Sequence, residues 1–298
     1  MRILFIGIGS IARKHINALN LMHLDVVIYA LRSSKQSTSI DGIVNIYNRN
    51  EVRDLDLDFV LISSPTSFHA RDIRFCLELK VPLFIEKPVS NTLNLDKILS
   101  SEISSKTYIG CNLRFLDCII FTKRFIENTS SKVNEVNSYC GSFLPEWRPN
   151  TDYTQSYSAD PQKGGGVHLD LIHEIDYLVW IFGYPCKSKK LLRSNSSLDI
   201  PSIDYANYNL IYEDFVANVQ LNYFRRDSKR TFEIVFADFT ISVNLLDNTV
   251  FMDDELIFSS DQTIIDTYYH QMKYFIENMG NGMMNDIYEG YQILKIAL

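Results

Sequence analysis

Residues 2 to 12 of the chain read Arg-Ile-Leu-Phe-Ile-Gly-Ile-Gly-Ser-Ile-Ala, so an apolar run passes directly into two closely spaced glycines. The apolar run predicts a buried strand, and the helical apolar pattern behind it predicts a helix. In this setting Gly7 allows a tight turn, Gly9 lets a pyrophosphate approach the backbone, and Ala12 lets helix and strand pack closely. The alternative is a glycine-rich turn of some other α/β protein. The first interpretation predicts a dinucleotide-binding turn formed by Gly7, Gly9, Ser10, Ile11 and Ala12.

Strand and helix patterns alternate through the first part of the chain. Short apolar runs at residues 59–62, 81–85 and 108–110 are separated by helical patterns. One of these patterns starts near residue 91 and has as its apolar stripe Leu95, Ile98 and Leu99. The alternation predicts an α/β domain over residues 1–116, built on a doubly wound parallel sheet of the Rossmann type.

Alternation with a period of two dominates the second part of the chain. Asn218, Gln220 and Asn222 alternate with apolar residues, and similar runs cover residues 205–212 and 231–236. This pattern predicts an antiparallel sheet. Helical patterns precede and follow these strands. The sequence therefore predicts a second α/β domain over residues 117–298.

The residues after the predicted strand at 25–29 indicate which dinucleotide binds. An acidic residue there would hold the ribose hydroxyl of NAD, but the chain has Arg32, Ser33 and Lys35 in this region. A guanidinium with hydroxyl and ammonium neighbours suits a 2′-phosphate better. The sequence therefore favours NADP over NAD as cofactor. The alternative is a solvated loop that does not contact the ribose.

Two further strand ends carry polar residues. Ser64 and Pro65 follow one strand, and His69 lies in the first turn of the next helix, close to where a nicotinamide would lie, although a lone histidine there is more often structural than catalytic. Ser64, Pro65 and His69 are candidate cofactor-binding residues. Glu86 and Lys87 end the following strand. Open α/β sheets bind ligands at the carboxyl ends of their strands, so Lys87 is a candidate reaction centre. A solvated loop entry is the alternative.

A helix is predicted from Val167 to Phe182, with Gly183 as its stop signal. Asp170 and His173 are three residues apart and therefore neighbours on its polar face. The carboxylate could orient the imidazole or stabilise its charge, as a general base requires. An ordinary polar helix face with a surface ion pair is the alternative.

Residues 144–163 show no helical or strand period. A loop of this length is uncommon unless it is a lid or a binding loop. Its aromatic rings and its arginine suit a sugar ring and an acidic group. The candidate substrate-binding residues are Trp147, Arg148 and Tyr157, and for each of them the alternative is a loop residue without ligand contacts.

Bulk composition argues against several classes of partner. The formal charge of -7 and the absence of a basic block argue against nucleic acid. Apolar runs stay well below the ~20 residues of a membrane span, so no membrane segment is expected. The five cysteines are odd in number and have no C-x-x-C spacing, which indicates reduced thiols, a cytoplasmic protein and no metal site.

The motifs occur in the order and spacing of a known family. Over nearly the whole chain the sequence resembles the glucose-fructose oxidoreductase/inositol dehydrogenase (Gfo/Idh/MocA) family, through Gly7 to Ala12, Ser64-Pro65 with His69, Glu86-Lys87-Pro88 and Asn112-Leu113-Arg114-Phe115. The resemblance implies an NAD(P)-dependent oxidoreductase whose Rossmann domain precedes an α/β domain with a large, mostly antiparallel sheet. It also implies a homodimer or homotetramer formed through that sheet.

The resemblance implies roles for individual residues. Lys87 would lie beside the nicotinamide and contact the reacting hydroxyl, and His173 would act as the base. The spacing of three between Asp170 and His173, where the family commonly has four, resembles a subgroup pattern D-L-S-H-E-x-D-Y-L, so either Asp170 or Asp176 could support the histidine. Glu86 would join the cofactor site, and substrate binding would involve Asn112 and Arg114.

The expected reaction is hydride transfer between a secondary alcohol carbon of a sugar and the nicotinamide. The subgroup resemblance and the loop around Trp147 and Arg148 suggest an amino sugar or nucleotide sugar of bacterial surface polysaccharides. A polyol such as inositol is the nearest alternative substrate. A cofactor-sensing regulator without catalysis is an alternative of a different class, although it would not need Lys87 and His173. Biliverdin-type reduction is a third alternative, which the polar predicted site fits less well.

Overall fold

The computed structural model describes residues 1–35, 40–95, 98–99, 103 and 105–298, and these form two compact units. The first unit consists of Met1–Cys111 and Ile264–Leu294. The second consists of Asn112–Thr263 and Lys295–Leu298. The sequence-based boundary after residue 116 assigns the whole C-terminal part to the second domain, whereas in the structure residues 264–294 belong to the first unit.

The first unit is built on six parallel strands. They lie in the order β3-β2-β1-β4-β5-β6, so the sheet grows outward in both directions from β1. This order confirms the doubly wound parallel sheet, and the winding changes direction between β1 and β4. The strands are β1 Arg2–Ile6, β2 Val27–Leu31, β3 Ile43–Ile46, β4 Phe59–Ile62, β5 Leu83–Glu86 and β6 Thr107–Gly110.

Helices from both ends of the chain contribute to this unit. The ring of Phe275 packs edge-on against Phe59 and Phe84, with centroid distances of 5.0 and 5.3 Å. Burial of these large rings explains why a C-terminal helix joins an N-terminal sheet. The helices are α1 Ser10–Leu21, α2 Arg49–Arg53, α3 Thr66–Leu77, α7 Ile264–Asn278 and α8 Ile287–Ala297, the last of which ends in the second unit.

One predicted strand of the first unit is shifted in the structure, and one predicted helix lies partly outside the described residues. The second strand, expected at residues 25–29, lies two residues later as β2. The helix expected from about Asn91, with Leu95, Ile98 and Leu99 on its apolar face, includes positions 96–97 and 100–102, which lie outside the described residues.

The second unit is built on eight strands in the order β14-β13-β12-β11-β7-β10-β9-β8. Neighbouring strands are antiparallel except β7 and β10, which are parallel, so the large, mostly antiparallel sheet is confirmed. The strands are β7 Val133–Phe143, β8 Lys187–Arg193, β9 Tyr205–Ile211, β10 Val216–Asn222, β11 Phe224–Phe236, β12 Thr240–Asn244, β13 Thr249–Met252 and β14 Glu255–Ser259. The helices are α4 Asp117–Asn128, α5 Val167–Asp170 and α6 His173–Phe182.

The single helix predicted from residue 167 to 182 is wrong, because the structure breaks it into α5 and α6. Leu171 caps α5 with φ -101° and ψ 21°, outside the helical region, and a new helix begins two residues later. The amphipathic pattern continues across the break, so the sequence pattern alone does not reveal it. As a consequence Asp170 ends one helix and His173 begins the next. Gly183, with φ 81°, ends α6 as predicted.

The described cysteines are free thiols. Four of them are buried, and Cys186 is exposed. Burial raises the pKa of the Cys118 thiol to about 12 and raises the pKa of Cys76 still further, so both stay protonated. Over the described ranges, no helix combines the length and the apolar character that crossing a membrane requires.

Candidate active site

The loop between β1 and α1 contains the two glycines of the predicted dinucleotide turn. Gly7 has φ +92°, and a Cβ there would lie 2.6 Å from the backbone nitrogen of Ser64, so only glycine fits. A Cβ on Gly9 would meet no described heavy atom within 4 Å. Gly9 is also the N-cap of α1, and this fully described turn has no side-chain cap and no acidic residue. The N-terminus of α1 is thus uncapped by a side chain and the space beside Gly9 is open, which fits the diphosphate of a dinucleotide.

The remaining residues of the turn differ in how deeply they are buried. Ser10 is exposed at the start of α1, Ile11 is half-buried, and Ala12 is fully buried. A small residue at Ala12 is needed because the helix packs directly on the sheet at this point.

Arg32 follows β2 directly. Its amide donates to the carbonyl of Ile46 at 2.8 Å, which fixes the start of this loop beside β3. The Arg32 side chain is half-buried and Ser33 is exposed. Both residues thus occupy the position after the second strand at which dinucleotide folds recognise the ribose.

The loop after β4 contacts the glycine turn. Ser63 Oγ donates to the carbonyl of Gly7 at 2.9 Å, and Ser64 Oγ donates to Asp72 Oδ2 at 2.8 Å. Pro65 is the N-cap of α3, and Thr66 is its first helical residue. The structure therefore brings together Gly7 and the residues after β4, and their common contact with a cofactor stays a prediction.

His69 joins two strand-end loops. Its Nδ1 lies 2.9 Å from the carbonyl oxygen of Pro88, and its Nε2 lies 2.9 Å from that of Ser64. The side chain is 1% exposed, and burial lowers the pKa of the imidazole although both carbonyls favour its charged form. This position fits a structural role, and a direct contact of His69 with a cofactor stays a prediction.

Glu86 and Lys87 lie at the carboxyl end of β5, next to β4 in the sheet. Glu86 is buried, its Oε1 lies 2.5 Å from Nε2 of His15, and its Oε2 accepts the amide of Lys87 at 3.2 Å. The Lys87 side chain is half-buried, and the bond to Pro88 is cis. Sequence reasoning missed His15, which lies on the buried face of α1 and carries no motif signal beyond its helical spacing.

In the second unit, His173 begins α6 and is 9% exposed. Its Nε2 lies 3.5 Å from Oε1 of the neighbouring Glu174. Asp170, predicted to support His173, accepts a hydrogen bond from the hydroxyl of Tyr223 at 2.5 Å. Burial, together with the Asp170 carboxylate, raises the pKa of Tyr223 well above its ordinary value, so this hydroxyl remains a donor. A direct role of Asp170 toward His173 stays a prediction.

Glu174 is the centre of a buried polar cluster that sequence reasoning missed. Its Oε1 accepts from Nε of Arg230 at 2.7 Å, and its Oε2 accepts from the hydroxyl of Tyr177 at 2.8 Å. Burial would lower the pKa of Arg230, but the Glu174 carboxylate outweighs it and raises that pKa. Only the tertiary structure joins the two charges, because Arg230 lies 56 residues along the chain on β11.

Arg114 forms a buried ion pair with Asp176. Nε and one terminal nitrogen of the guanidinium each lie 2.8 Å from a different carboxylate oxygen. The side chains are 3% and 2% exposed, and the guanidinium also lies 5.7 Å from the centroid of Trp180. Arg114 therefore has a structural partner, and its predicted contact with substrate stays a prediction, as does that of the buried Asn112.

The loop at residues 144–163 is made of short 3-10 turns. Trp147 is 39% exposed, its indole donates to Ser142 Oγ at 2.9 Å, and its ring packs edge-on against Tyr223 at 5.2 Å. Tyr157 donates to the carbonyl of Gly164 at 3.0 Å, and Arg148 is exposed. Tyr223 thus contacts both Trp147 and Asp170, and it links this loop to the end of α5.

In the part of the chain that the structure describes, no group of three or more His, Cys, Asp or Glu side chains could hold a metal ion.

Comparison with protein families gives one match to the first unit. Residues 1–105 match the model of the GFO_IDH_MocA family, described as an oxidoreductase family with an NAD-binding Rossmann fold. The matched range contains the glycine turn, the loop after β4 and Lys87.

Two curated proteins are similar in sequence. An uncharacterised oxidoreductase of Bacillus subtilis is 29% identical over 191 residues, which are 60% of this chain and 52% of that protein. Myo-inositol 2-dehydrogenase of Thermotoga maritima is 27% identical over 195 residues, which are 61% of this chain and 55% of that protein. The chain thus spans about half the length of the curated relatives it matches.

Solved structures share the fold over the whole chain. Levoglucosan dehydrogenase in complex with NADH superposes with a TM-score of 0.85 at 15% identity, covering 100% of this chain and 95% of that one. UDP-N-acetylglucosamine 3-dehydrogenase from Acidithiobacillus ferrooxidans superposes with a TM-score of 0.78 at 18% identity, covering 100% and 95%. At such identities the likeness shows the fold alone. The fold, the family match over residues 1–105 and the ordered motifs agree, and the chain is similar to the Gfo/Idh/MocA oxidoreductases.

Proposed function

We propose that the chain is an NAD(P)-dependent dehydrogenase or reductase that acts on a secondary alcohol or ketone of a sugar. One observation supports it most: the open glycine turn after β1 and Lys87 after β5 lie at the carboxyl edge of one parallel sheet, separated only by β4. That edge is where open α/β sheets bind their ligands. A binding turn and an ammonium group that can touch a reacting oxygen are thus in the same unit.

The residues have distinct proposed roles. The turn Gly7 to Ala12, with Ser64 and Pro65, binds the dinucleotide, which accepts or donates hydride when bound. Lys87 contacts the reacting oxygen, and Glu86 fixes the backbone at that lysine through the hydrogen bond to its amide. His173 takes up the hydroxyl proton as the carbon is oxidised, a contribution of about 10²- to 10⁴-fold to the rate.

The preferred cofactor in this proposal is NADP. Arg32 and Ser33 directly follow β2, at the position where an acidic residue would favour NAD. Substitution Arg32→Ala is expected to weaken NADPH binding while leaving NADH binding nearly unchanged, and a fluorescence titration with both reduced cofactors measures this. Equal losses for the two cofactors would show that Arg32 does not recognise the 2′-phosphate.

The proposed substrate class is an amino sugar or nucleotide sugar of surface polysaccharide synthesis. One structural neighbour is named for action on UDP-N-acetylglucosamine, and Trp147 and Arg148 provide an exposed ring and an exposed guanidinium on one loop. The name of the Thermotoga relative favours a polyol of the inositol type as the second candidate.

The proposal also covers the cellular compartment and the oligomeric state. We place the protein in the cytoplasm, because its buried free thiols fit a reducing compartment. We also propose a homodimer or homotetramer through the C-terminal sheet, because alternate residues of β9 are buried and half-exposed, so one sheet face is incompletely covered in the monomer. Light scattering at several protein concentrations tests the oligomer.

The central test follows nicotinamide absorbance while the protein is mixed with either cofactor and with nucleotide sugars, amino sugars and polyols. Turnover with one sugar class is expected, and Lys87→Met should abolish it with dinucleotide binding nearly unchanged. Lys189→Met, on the exposed strand β8, is the matched control and should retain activity. Dinucleotide binding without turnover on any substrate would favour the cofactor-sensing regulator.

A further inference from the structure

An open cavity of about 420 Å³ lies in the first unit between α2 and α3. Four arginines line it, Arg49 and Arg53 from α2 and Arg71 and Arg74 from α3. Asn50 and Glu78 complete its polar wall. The cavity has the volume of a small-ligand site. Its lining includes no residue of the proposed dinucleotide turn, which lies between β1 and α1.

The charges around this cavity do not cancel. Arg49 and Arg71 share a single oxygen of Asp72, at 2.7 and 3.0 Å. Arg53 pairs with Glu78 at 2.7 Å. Four guanidinium groups therefore face two carboxylates, which leaves two positive charges at this cavity in a chain of net charge -7.

The uncompensated charge is best seen at Arg74. Its guanidinium donates to the backbone carbonyl of Asn94 at 2.9 Å, a partner without formal charge. The single carboxylate of Asp72 likewise neutralises only one of the two positive charges of Arg49 and Arg71. An anion that binds Arg74 would replace a neutral carbonyl rather than break an ion pair.

Aromatic rings hold two of the arginines in place. The guanidinium of Arg49 lies 4.6 Å from the ring centroid of Phe75, and that of Arg71 lies 4.5 Å from the ring of Phe68. Stacked guanidinium groups lose less conformational freedom when they bind a ligand. Their planar forks match the oxygen spacing of phosphate, which several arginines around one cavity can bind together.

We propose that the cavity between α2 and α3 binds a small ligand with a diphosphate group or two phosphate groups. Two net positive charges match a ligand with at least two negative ones, and the volume accommodates a group of that size. The negative net charge of the chain disfavours an extended polyanion such as a nucleic acid at the same surface. Binding at this cavity does not depend on the proposed oxidoreductase activity.

The test titrates the full-length chain with inorganic pyrophosphate in a calorimeter. The diagnostic variant is Arg53→Ala/Arg74→Ala, because Arg49 and Arg71 also hold the buried Asp72 and, through it, Ser64. We expect its affinity to fall about tenfold for each arginine removed. Arg53→Lys/Arg74→Lys keeps the charge without the forks and should give an intermediate affinity. A thermal melt of each variant shows whether it is folded.

Two controls identify the site. Arg124→Ala/Lys189→Ala removes two exposed positive charges of the second unit and should bind pyrophosphate like the wild type. Gly9→Asp places a negative charge at the glycine turn, so it should also retain the binding if the arginine cavity is the site. Loss of binding in Gly9→Asp alone, unchanged affinity in both arginine variants, or no binding by the wild type would each overturn the proposal.

A second ligand distinguishes two sources of the same chemistry. Glucose 1,6-bisphosphate carries two separate phosphate groups on a carbon skeleton, whereas pyrophosphate carries two joined ones. Tighter binding of the bisphosphate would indicate a phosphorylated metabolite as the natural ligand, and tighter binding of pyrophosphate would indicate a diphosphate group. Both outcomes support the site, provided that the arginine variants lose the binding.

Discussion

The imidazole of His15 and the carboxylate of Glu86 form a buried hydrogen bond, with Nε2 and Oε1 2.5 Å apart. His15 has no exposed surface, and its ring packs edge-on against Phe84 and Tyr268 at 4.8 and 5.4 Å. Glu86 uses its second oxygen to accept the amide of Lys87. Helix α1 thus positions the strand end that carries the proposed reactive lysine.

Substitution His15→Ala is expected to lower the free energy of unfolding by about 2–4 kcal/mol, because it opens a cavity and removes a partner of a buried carboxylate. Urea denaturation measures the change. His270→Ala, at an exposed histidine of α7, is the control and should change stability by less than about 0.5 kcal/mol. Similar effects of the two substitutions would contradict the importance of the buried pair.

Gly7 and Gly9 are expected to respond differently to alanine. At Gly7 the positive φ and the close approach of Ser64 predict a loss of about 2–4 kcal/mol of stability in Gly7→Ala. At Gly9 the φ of -95° and the open space allow a methyl group without strain, so Gly9→Ala should fold normally.

The Gly9 methyl group would, however, occupy the space that the diphosphate is proposed to use. Dinucleotide affinity in Gly9→Ala should therefore fall by about tenfold or more while the melting temperature stays near the wild-type value. Fluorescence titration with a reduced dinucleotide and a thermal melt on the same preparation check both parts. Unchanged affinity in a folded Gly9→Ala would remove the turn from the cofactor site.

The ion pair of Arg114 with Asp176 is expected to show strong coupling. Arg114→Met leaves a buried carboxylate without its main partner, which should cost about 3–5 kcal/mol. Arg114→Met/Asp176→Leu removes both charges and should recover a large part of that loss. A double-mutant cycle by chemical denaturation measures the coupling. Additive effects of the two single substitutions would show that the pair contributes little.

The buried His168 is expected to make the folded protein less stable in acid. It is 7% exposed, and its Nδ1 is buried without a hydrogen-bond partner in the described structure. Burial, helped by the charge of Lys190, lowers the pKa of the imidazole from 6.5 to about 4. Above pH 6.5 the ring is neutral in both states, so this group does not oppose folding.

As the pH falls below 6.5, the unfolded chain takes up the proton first, and the folded state loses stability until the pH reaches about 4. The loss attributable to His168 is about 3 kcal/mol. His168→Leu should therefore lose less stability than the wild type between about pH 7 and about pH 4.5, as urea denaturation at both values would show. An equal loss in both proteins would mean that the folded histidine titrates normally.

Much of the first unit could be predicted because its signals are local. The strand-turn-helix pattern around Gly7 and Gly9 follows from the special backbone geometry of glycine and from short apolar runs, and the structure places both residues as expected. Strand β4 has the predicted bounds for the same reason, since a buried parallel strand is a continuous apolar run. Lys87 is a candidate reactive residue for a related reason, because polar residues at strand ends interrupt such runs.

Pairings between distant residues could not be predicted. Glu174 and Arg230, Arg114 and Asp176, and His15 and Glu86 are each joined by packing of separate elements, and no spacing in the sequence encodes them. The break between α5 and α6 was missed because the amphipathic pattern runs through it. The return of α7 to the first unit depends on aromatic contacts of Phe275 that a linear division of the chain cannot anticipate.

The sequence by itself therefore determined the fold class and the glycine turn, because glycine conformation, apolar periodicity and strand-end polarity act over a few residues. Only the tertiary structure decided which charges are neutralised in the interior and where two net positive charges remain, around the cavity lined by Arg49, Arg53, Arg71 and Arg74. The physical reason is that a buried charge must find an opposite partner wherever the fold brings one close, whatever their separation along the chain.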